Sequence, residues 1–515
     1  SSGSTKSGDS GDDTHQFTGS LSISGSSIAL GGVNSNVIVG KNTNLNINAG
    51  STGLTAIGLN AAGGDSSTEL AGDDITTIGS QAGRKMEQNP HRTTLVGAQT
   101  GRNLSVGLDN TFVGALAGYQ LTVADRNVFV GSYAGYQTVD VDNAVIIGYQ
   151  AGYSNMTSAA DGTIAIGYQA GYSLTSGASN TIIGYDAGKT LTTGGNNVII
   201  GRDAGNDTAG NNAVIIGAYA GDDNSPSNAV IIGYATGRVI NGENTTAVGY
   251  NALKVATEPD NTAVGAYALQ TLVDGENNTA LGIAAGYRID KGDDSTFLGW
   301  YAGYNATGSD NTFVGSKAGE GGTTSAPYSS GQRNTAVGFQ AIKSFTTQGN
   351  MVAIGYAAAR SGGGTKSVYI GEGAGYNSTS GVNVLMGYRA GYSMTDSNRT
   401  TAIGHQSLYN LAYSGYSKAT AVGHAALYNL VSGQGNTALG YEAGKSATGA
   451  ENTIVGSEAG YYLVGDESVH IGNEAGRYAT GSYNTFVGAD AGKGGTTSAP
   501  YSSGEKNTAV GYQAF

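Results

Sequence analysis

Short apolar triplets recur along the chain, each opened by a polar residue and closed by a glycine. Asn311-Thr-Phe-Val-Gly315, Asn334-Thr-Ala-Val-Gly338, Asn436-Thr-Ala-Leu-Gly440 and Asn484-Thr-Phe-Val-Gly488 are four instances. A small-residue phrase follows, Ala-Gly or Ala-Leu three and four residues past the glycine, as in Ala318-Gly319, Ala443-Gly444 and Ala268-Leu269. About 28 such glycines run from Gly40 to Gly511, usually about 16 or 17 residues apart, as at Gly114, Gly131 and Gly148. Repetition on this scale decides the fold class before any local signal is weighed.

The triplets of Asn180-Thr-Ile-Ile-Gly184 and Asn197-Val-Ile-Ile-Gly201 are β-branched and bounded by turn residues, which predicts strands. The following segment, such as Tyr168-Gln-Ala-Gly-Tyr172, is expected to form a second short strand, and a polar stretch such as Thr175–Ser179 returns the chain. Such a unit is too short for a crossover helix. The prediction is an all-β fold: a parallel β-solenoid, or β-roll, of about 28 short coils of about 16–17 residues. At ~4.8 Å per coil it is a rod of roughly 130 Å. The Val, Ile and Leu before each glycine, for example Val113, Ile183 and Val314, are expected inside, facing Ala117, Ala134, Ala151, Ala170, Ala187 and Ala204. Asn110, Asn127, Asn261, Asn278 and Asn452 stand at strand entrances, where stacked coils would align them into an amide ladder.

Three regions differ in pattern. Residues 1–16 lack periodicity and read as a flexible or extended leader. Residues 17–50 alternate with period two, as in Leu21-Ser-Ile23, and read as an atypical N-terminal β segment, a cap or docking strands. The repeat array then occupies 51–515, with longer loops near 320–333 and 493–506. These loops are near-copies, Gly322-Thr-Thr-Ser-Ala-Pro-Tyr-Ser-Ser-Gly331 and Gly495-Thr-Thr-Ser-Ala-Pro-Tyr-Ser-Ser-Gly504, which points to internal duplication.

Composition narrows function. The 87 glycines and 5 prolines suit many tight turns rather than a flexible linker. A formal net charge of −13 disfavours nucleic acid and anionic membranes as partners. The absence of cysteine removes disulfides and thiol chemistry, and no apolar run has the roughly 20 residues needed to span a bilayer.

Thr163-Ile-Ala-Ile-Gly167 and Met351-Val-Ala-Ile-Gly355 resemble the head-domain repeats of trimeric autotransporter adhesins, and glycine-phased repeats of this kind also occur in phage tail fibres. The resemblance implies left-handed β-rolls, a trimer, and a head that binds host surfaces. The chain departs from that family in its longer, Tyr-rich repeat and in lacking a neck-like segment, a heptad stalk and C-terminal barrel strands.

Candidate chemistry is sparse. Gly184-Tyr-Asp-Ala-Gly-Lys-Thr190 and Gly440-Tyr-Glu-Ala-Gly-Lys-Ser446 resemble a phosphate-binding loop, but the glycine spacing is one residue short and no helix follows. His405 and His424 fall in successive coils, and two ligands do not complete a metal site. No catalytic residue, cofactor or metal ligand is therefore assigned. Tyr119, Tyr136, Tyr153, Tyr168, Tyr185, Tyr287 and Tyr304 recur in phase with the glycines. They predict a surface aromatic ladder, covering the thin sheet or offering a track for sugar rings. Asn103, Asn155, Asn206, Asn244, Asn277, Asn305, Asn377 and Asn398 lie in Asn-x-Ser/Thr triplets, candidate glycosylation sites in a glycosylating host.

The expected function is that of a non-catalytic, extracellular, fibrous protein at a cell or virion surface. It would act as an adhesin or filament scaffold, with a phage receptor-binding fibre or a head-to-tail self-assembling filament as the alternatives. The expected partners are further copies of itself, as a trimer or filament, and carbohydrate or a host surface. For the filament, Gln513-Ala-Phe515 stops inside a unit, so the last coil is expected to meet further repeats or the 17–50 segment of the next copy.

Overall fold

The computed structural model describes residues 36–40, 51–63, 70, 72–87, 90–206, 210–223, 227–322, 328–379, 381–411, 415–494 and 503–514. The expected leader, most of the 17–50 segment, both loop prolines and Phe515 lie outside them.

The apolar triplets are strands, and they stack into one 28-stranded sheet. Thr111–Val113 pairs in parallel with Val128–Val130, which pairs with Val145–Ile147, residue opposite residue. Val37–Val39 is already a rung of this sheet, paired with Thr55–Ile57, so the regular stack begins ahead of residue 51. Two smaller parallel pairs, Val239–Ile240 with Val255–Ala256 and Ser397–Asn398 with Gly415–Tyr416, form in the return segments. The architecture is thus the expected all-β parallel solenoid.

The second segment of each coil is not a strand. The residue two past the repeat glycine and the glycine four past it both take positive φ, 62° at Leu116 and 58° at Gly118, which no strand accommodates. The segment is a run of turns whose N–H groups still bond the next coil: Gly118 N donates to Ala134 O at 2.9 Å and Gly135 N to Ala151 O at 3.0 Å. Backbone bonds therefore run along the rod on this side as well as on the sheet side.

The inward phase also differs from expectation. From Thr55–Ile57 onward the middle residue of each triplet is buried, with Phe112, Ile182 and Phe313 at 0% exposure; in the first rung, Val37–Val39, Ile38 is 43% exposed. Val113, Ile183 and Val314, expected inside, point outward; Val113 is 36% exposed, and Ile183 and Val314 are half-buried. Successive strand residues face opposite sides, so only one of the last two can face the core. The alanines behave as expected, Ala117, Ala134, Ala151, Ala170, Ala187 and Ala204 all being buried. A third inward row, seven residues past the glycine, completes the core with Leu104, Leu121, Leu174, Leu191 and Leu272.

Packing explains why Ala-Gly alternates with Ala-Leu. Where the strand centre is large, glycine stands four past the repeat glycine. A Cβ on Gly319 would lie 2.3 Å from the Phe313 ring, and one on Gly303 2.3 Å from Phe297. At the alanine centres Ala247, Ala336, Ala402 and Ala421 a large buried residue replaces that glycine, Leu253, Ile342, Leu408 and Leu427, whereas Ala56 and Ala353 are followed by Ala62 and Ala359 and Ala165 by Gly171. Gly286 and Gly444 follow alanine centres, and there the space is taken from adjacent coils, by Leu269 and Phe297 or by Leu427 and Ile454.

The repeat glycine itself is required by contact. Gly282 has φ +140°, and a Cβ there would sit 2.6 Å from the carbonyl oxygen of Gly299 in the next coil.

The buried asparagines form the expected ladder, mostly through backbone. Asn278 N donates to Asn261 Oδ1 at 3.0 Å, Ser295 N donates to Asn278 Oδ1 at 3.1 Å, and Asn278 Nδ2 donates to Gly292 O at 2.7 Å. The ladder crosses the long coil unbroken, since Asn334 N donates to Asn311 Oδ1 at 3.0 Å. Asn278→Ala strips a buried N–H and a buried carbonyl of these partners. It is expected to cost roughly 2 kcal/mol, read as faster hydrogen exchange in coils 262–311; unchanged exchange would count against the ladder.

Candidate functional site

The tyrosines occupy two rows. Tyr149, Tyr168 and Tyr185 directly follow repeat glycines and are exposed, with ring centroids 5.6 and 4.9 Å apart. Tyr119, Tyr136, Tyr153 and Tyr172 form a half-buried row with spacings of 5.2, 5.3 and 4.9 Å. Tyr133 joins the rows, 5.4 Å from Tyr136 and 6.1 Å from Tyr149. Farther along, Tyr287 and Tyr304 stack at 4.8 Å. The predicted ladder thus exists, but as separate stacks. Within each stack the rings lie nearly parallel, 9° between Tyr168 and Tyr185, so their faces cover one another. That geometry stabilises the coil surface and leaves little open ring face for sugars. His405 and His424 belong to such a stack, 5.0 Å apart between Tyr388 and Tyr441. Among the described residues no group of three or more His, Asp or Glu gathers as a metal site would need.

Lys189 and Lys445 point back into their own turns, 3.2 Å from Asp186 Oδ2 and 2.8 Å from Glu442 Oε1. Toward the C-terminal coils the tyrosine row gives way to ions. Arg477 and Lys493 each reach carboxylates of their own and the preceding coil, Glu474 and Glu458 for Arg477, Asp490 and Glu474 for Lys493. The Lys493 hydrogen bond holds the Glu474 carboxyl below its ordinary range.

A cleft forms where the repeat is interrupted by the long coil. Its volume is about 650 Å³, and Thr271, Tyr287, Arg288, Asp290, Lys291, Thr307, Tyr328 and Ser330 line it. Tyr328 and Ser330 come from the long coil; the others come from the preceding coils. The Arg288 guanidinium lies 5.9, 5.4 and 5.0 Å from the ring centres of Tyr287, Tyr304 and Tyr328, and its Nη1 donates to Asn305 Oδ1 at 3.2 Å. Burial pushes the Tyr304 phenol up. Lys291 pairs with Asp274 at 3.1 Å, a contact that raises its pKa and keeps the ammonium charged. The cleft combines two aromatic rings, two cations, a carboxylate and five hydroxyls, two of them phenolic, a set suited to a polar, hydroxyl-rich ligand.

Of these lining residues the sequence singled out only Tyr287, with Tyr304 just behind it. Tyr328 was readable only as part of a repeated loop, and Arg288 only as a break in the repeat's chemistry. Of the candidate glycosylation sites, Asn155, Asn244 and Asn277 are exposed, and Asn103, Asn206, Asn377 and Asn398 are half-buried. Asn305 is buried and bonded to Arg288, which closes it to a glycan in the folded rod.

No protein-family model matches the chain, and no curated protein matches it significantly.

Proposed function

We propose that the chain is a non-catalytic structural rod, displayed outside a cell or on a virion, that holds carbohydrate of an opposing surface in the Tyr287–Arg288–Tyr328 cleft. The cleft carries this reading: it breaks a surface otherwise made of copies, and its lining offers rings and hydrogen-bonding groups together. The non-catalytic reading is supported by the solenoid's habit of arranging side chains as repeated rows rather than as one converging constellation. An adhesin and a phage fibre share this arrangement and differ in what carries the rod.

The test is binding of the full chain to a panel of neutral and acidic polysaccharides by affinity electrophoresis. Arg288→Ala and Tyr328→Ala are expected to weaken retention about tenfold or more, whereas Tyr168→Ala and Tyr185→Ala leave it unchanged. Absence of retention across the panel, or loss that follows the stacked tyrosines instead, would refute the cleft as the binding point.

A further inference from the structure

The outward side of the long sheet carries no charge. On either side of the central residue in all 28 strands stand only Thr, Val, Ile, Leu or Met, from Val37 and Val39 through Val384 and Met386 to Thr508 and Val510. The chain has 25 Lys and Arg and 38 Asp and Glu, and none falls on this face. Coils 198–232 show the pattern at its most apolar: Val198 and Ile200, Val214 and Ile216, Val230 and Ile232 all point outward. Several outward residues are well exposed, Leu281 at 47% and Leu439 at 48% among them. A row of exposed aromatics, including Tyr149, Tyr234 and Tyr356, borders the face.

An uncovered apolar face is foreign to parallel sheets, which are normally packed on both sides. Its area is also too large for an isolated soluble surface. At ~4.8 Å per strand and roughly 7 Å across two outward positions, it covers on the order of 900 Å² before the aromatic border is added, with threonine at 17 of the 56 outward positions and apolar side chains at the rest. A stable dimer buries about 800 Å² per partner.

We propose that a second copy of this chain covers this face, the two sheets packed side by side along the rod. Length and period select that occupant. An object that matches rows of β-branched side chains every ~4.8 Å over roughly 130 Å is another rod of the same build, and identical rows interdigitate as in other sheet-on-sheet packings. The contact is isologous, the same patch on both copies, so it closes as a pair. With a net charge of −13 per copy, a charge-free face is also the place where two copies approach with least repulsion. The pairing is independent of the carbohydrate cleft.

The experiment is sedimentation of the full chain across roughly 1–100 µM, a range that reveals self-association down to micromolar strength. The wild-type chain is expected at twice the monomer mass. Ile200→Lys, Ile216→Lys and Ile232→Lys, combined, should sediment as a monomer with the strand circular dichroism retained. Asn212→Lys, Asn228→Lys and Asn244→Lys form the control. They place the same charge in the same coils at turn positions where Arg126 and Lys366 already stand with positive φ, and they should leave the dimer intact. Should the face variant misfold, Ile216→Cys supplies a single thiol in a chain without cysteine. An environment-sensitive dye attached there should shift to the blue as concentration rises through the dimer range. A monomeric wild-type chain, a dimer that survives the face substitutions, or a dye that reports water at every concentration would each overturn the proposal.

Discussion

Phe313→Ala and Gly319→Leu, each severely destabilising alone, are expected to largely cancel when combined. Phe313→Ala empties the fully buried centre of its strand, a change that costs about 3–5 kcal/mol. Gly319→Leu drives a side chain into the Phe313 ring, which already sits 2.3 Å from where its Cβ would be, and overpacking of this kind costs about 1–3 kcal/mol. Together the two substitutions recreate the pairing of Ala247 with Leu253 and of Ala421 with Leu427. The backbone accepts it, because Leu253 and Leu427 take φ of 44° and 51° at that place while Gly319 takes 55°. A favourable coupling of about 2–3 kcal/mol is expected from a double-mutant cycle, read as local opening by hydrogen exchange across residues 296–345. Additive losses would show that the strand centre and the turn do not share one volume.

His470→Phe is expected to remove an acid-sensitive weak point. His470 is the centre of Val469–Ile471, fully buried, with its ring edge-on to Phe486 at 5.1 Å. Its Nδ1 lies 3.3 Å from Ala475 O, and its Nε2 has no hydrogen-bond partner. Burial pushes its pKa down to about 4 from an ordinary 6.5. In the native coil the ring is neutral, while the unfolded chain takes up a proton below pH 6.5. Stability is therefore whole above pH 6.5, falls as pH drops toward 4, and then levels, with a total loss of about 3 kcal/mol. The chain contains its own control. Ser295-Thr-Phe-Leu-Gly299 and Ser468-Val-His-Ile-Gly472 lead into the two duplicated loops, and Phe297 fills the place that His470 takes. Hydrogen exchange of peptides across 468–490 at pH 4 and pH 7 should differ strongly in the wild-type chain and far less in His470→Phe. An equal pH response in both would mean that carboxylate pairs such as Glu474 with Lys493, not the imidazole, carry the acid sensitivity.

The stack itself was legible in the sequence. Asn180-Thr-Ile-Ile-Gly184 and its copies state a strand, a turn and a length, and a unit that short closes only by stacking on its neighbours. The buried amide ladder followed from the same phase, because identical residues at identical places in stacked coils must meet. Which side of the triplet faces inward was legible only in part. Thr111, Thr181 and Thr312 open their triplets with a hydroxyl, and by strand alternation that marks Val113, Ile183 and Val314 as outward, a signal the expectation passed over. In Val145–Ile147 all three residues are apolar and polarity offers no contrast; the fold buries Ile146 and leaves the other two half-buried. The choice between Gly319 and Leu427 four residues past the glycine likewise belongs to the tertiary structure, since it answers the volume of a side chain across the core, Phe313 in one coil and Ala421 in the other. The cleft was hidden for a related reason. Arg288 and Tyr328 lie 40 positions apart, and only stacking of the long coil on its predecessors brings the guanidinium 5.0 Å from that ring.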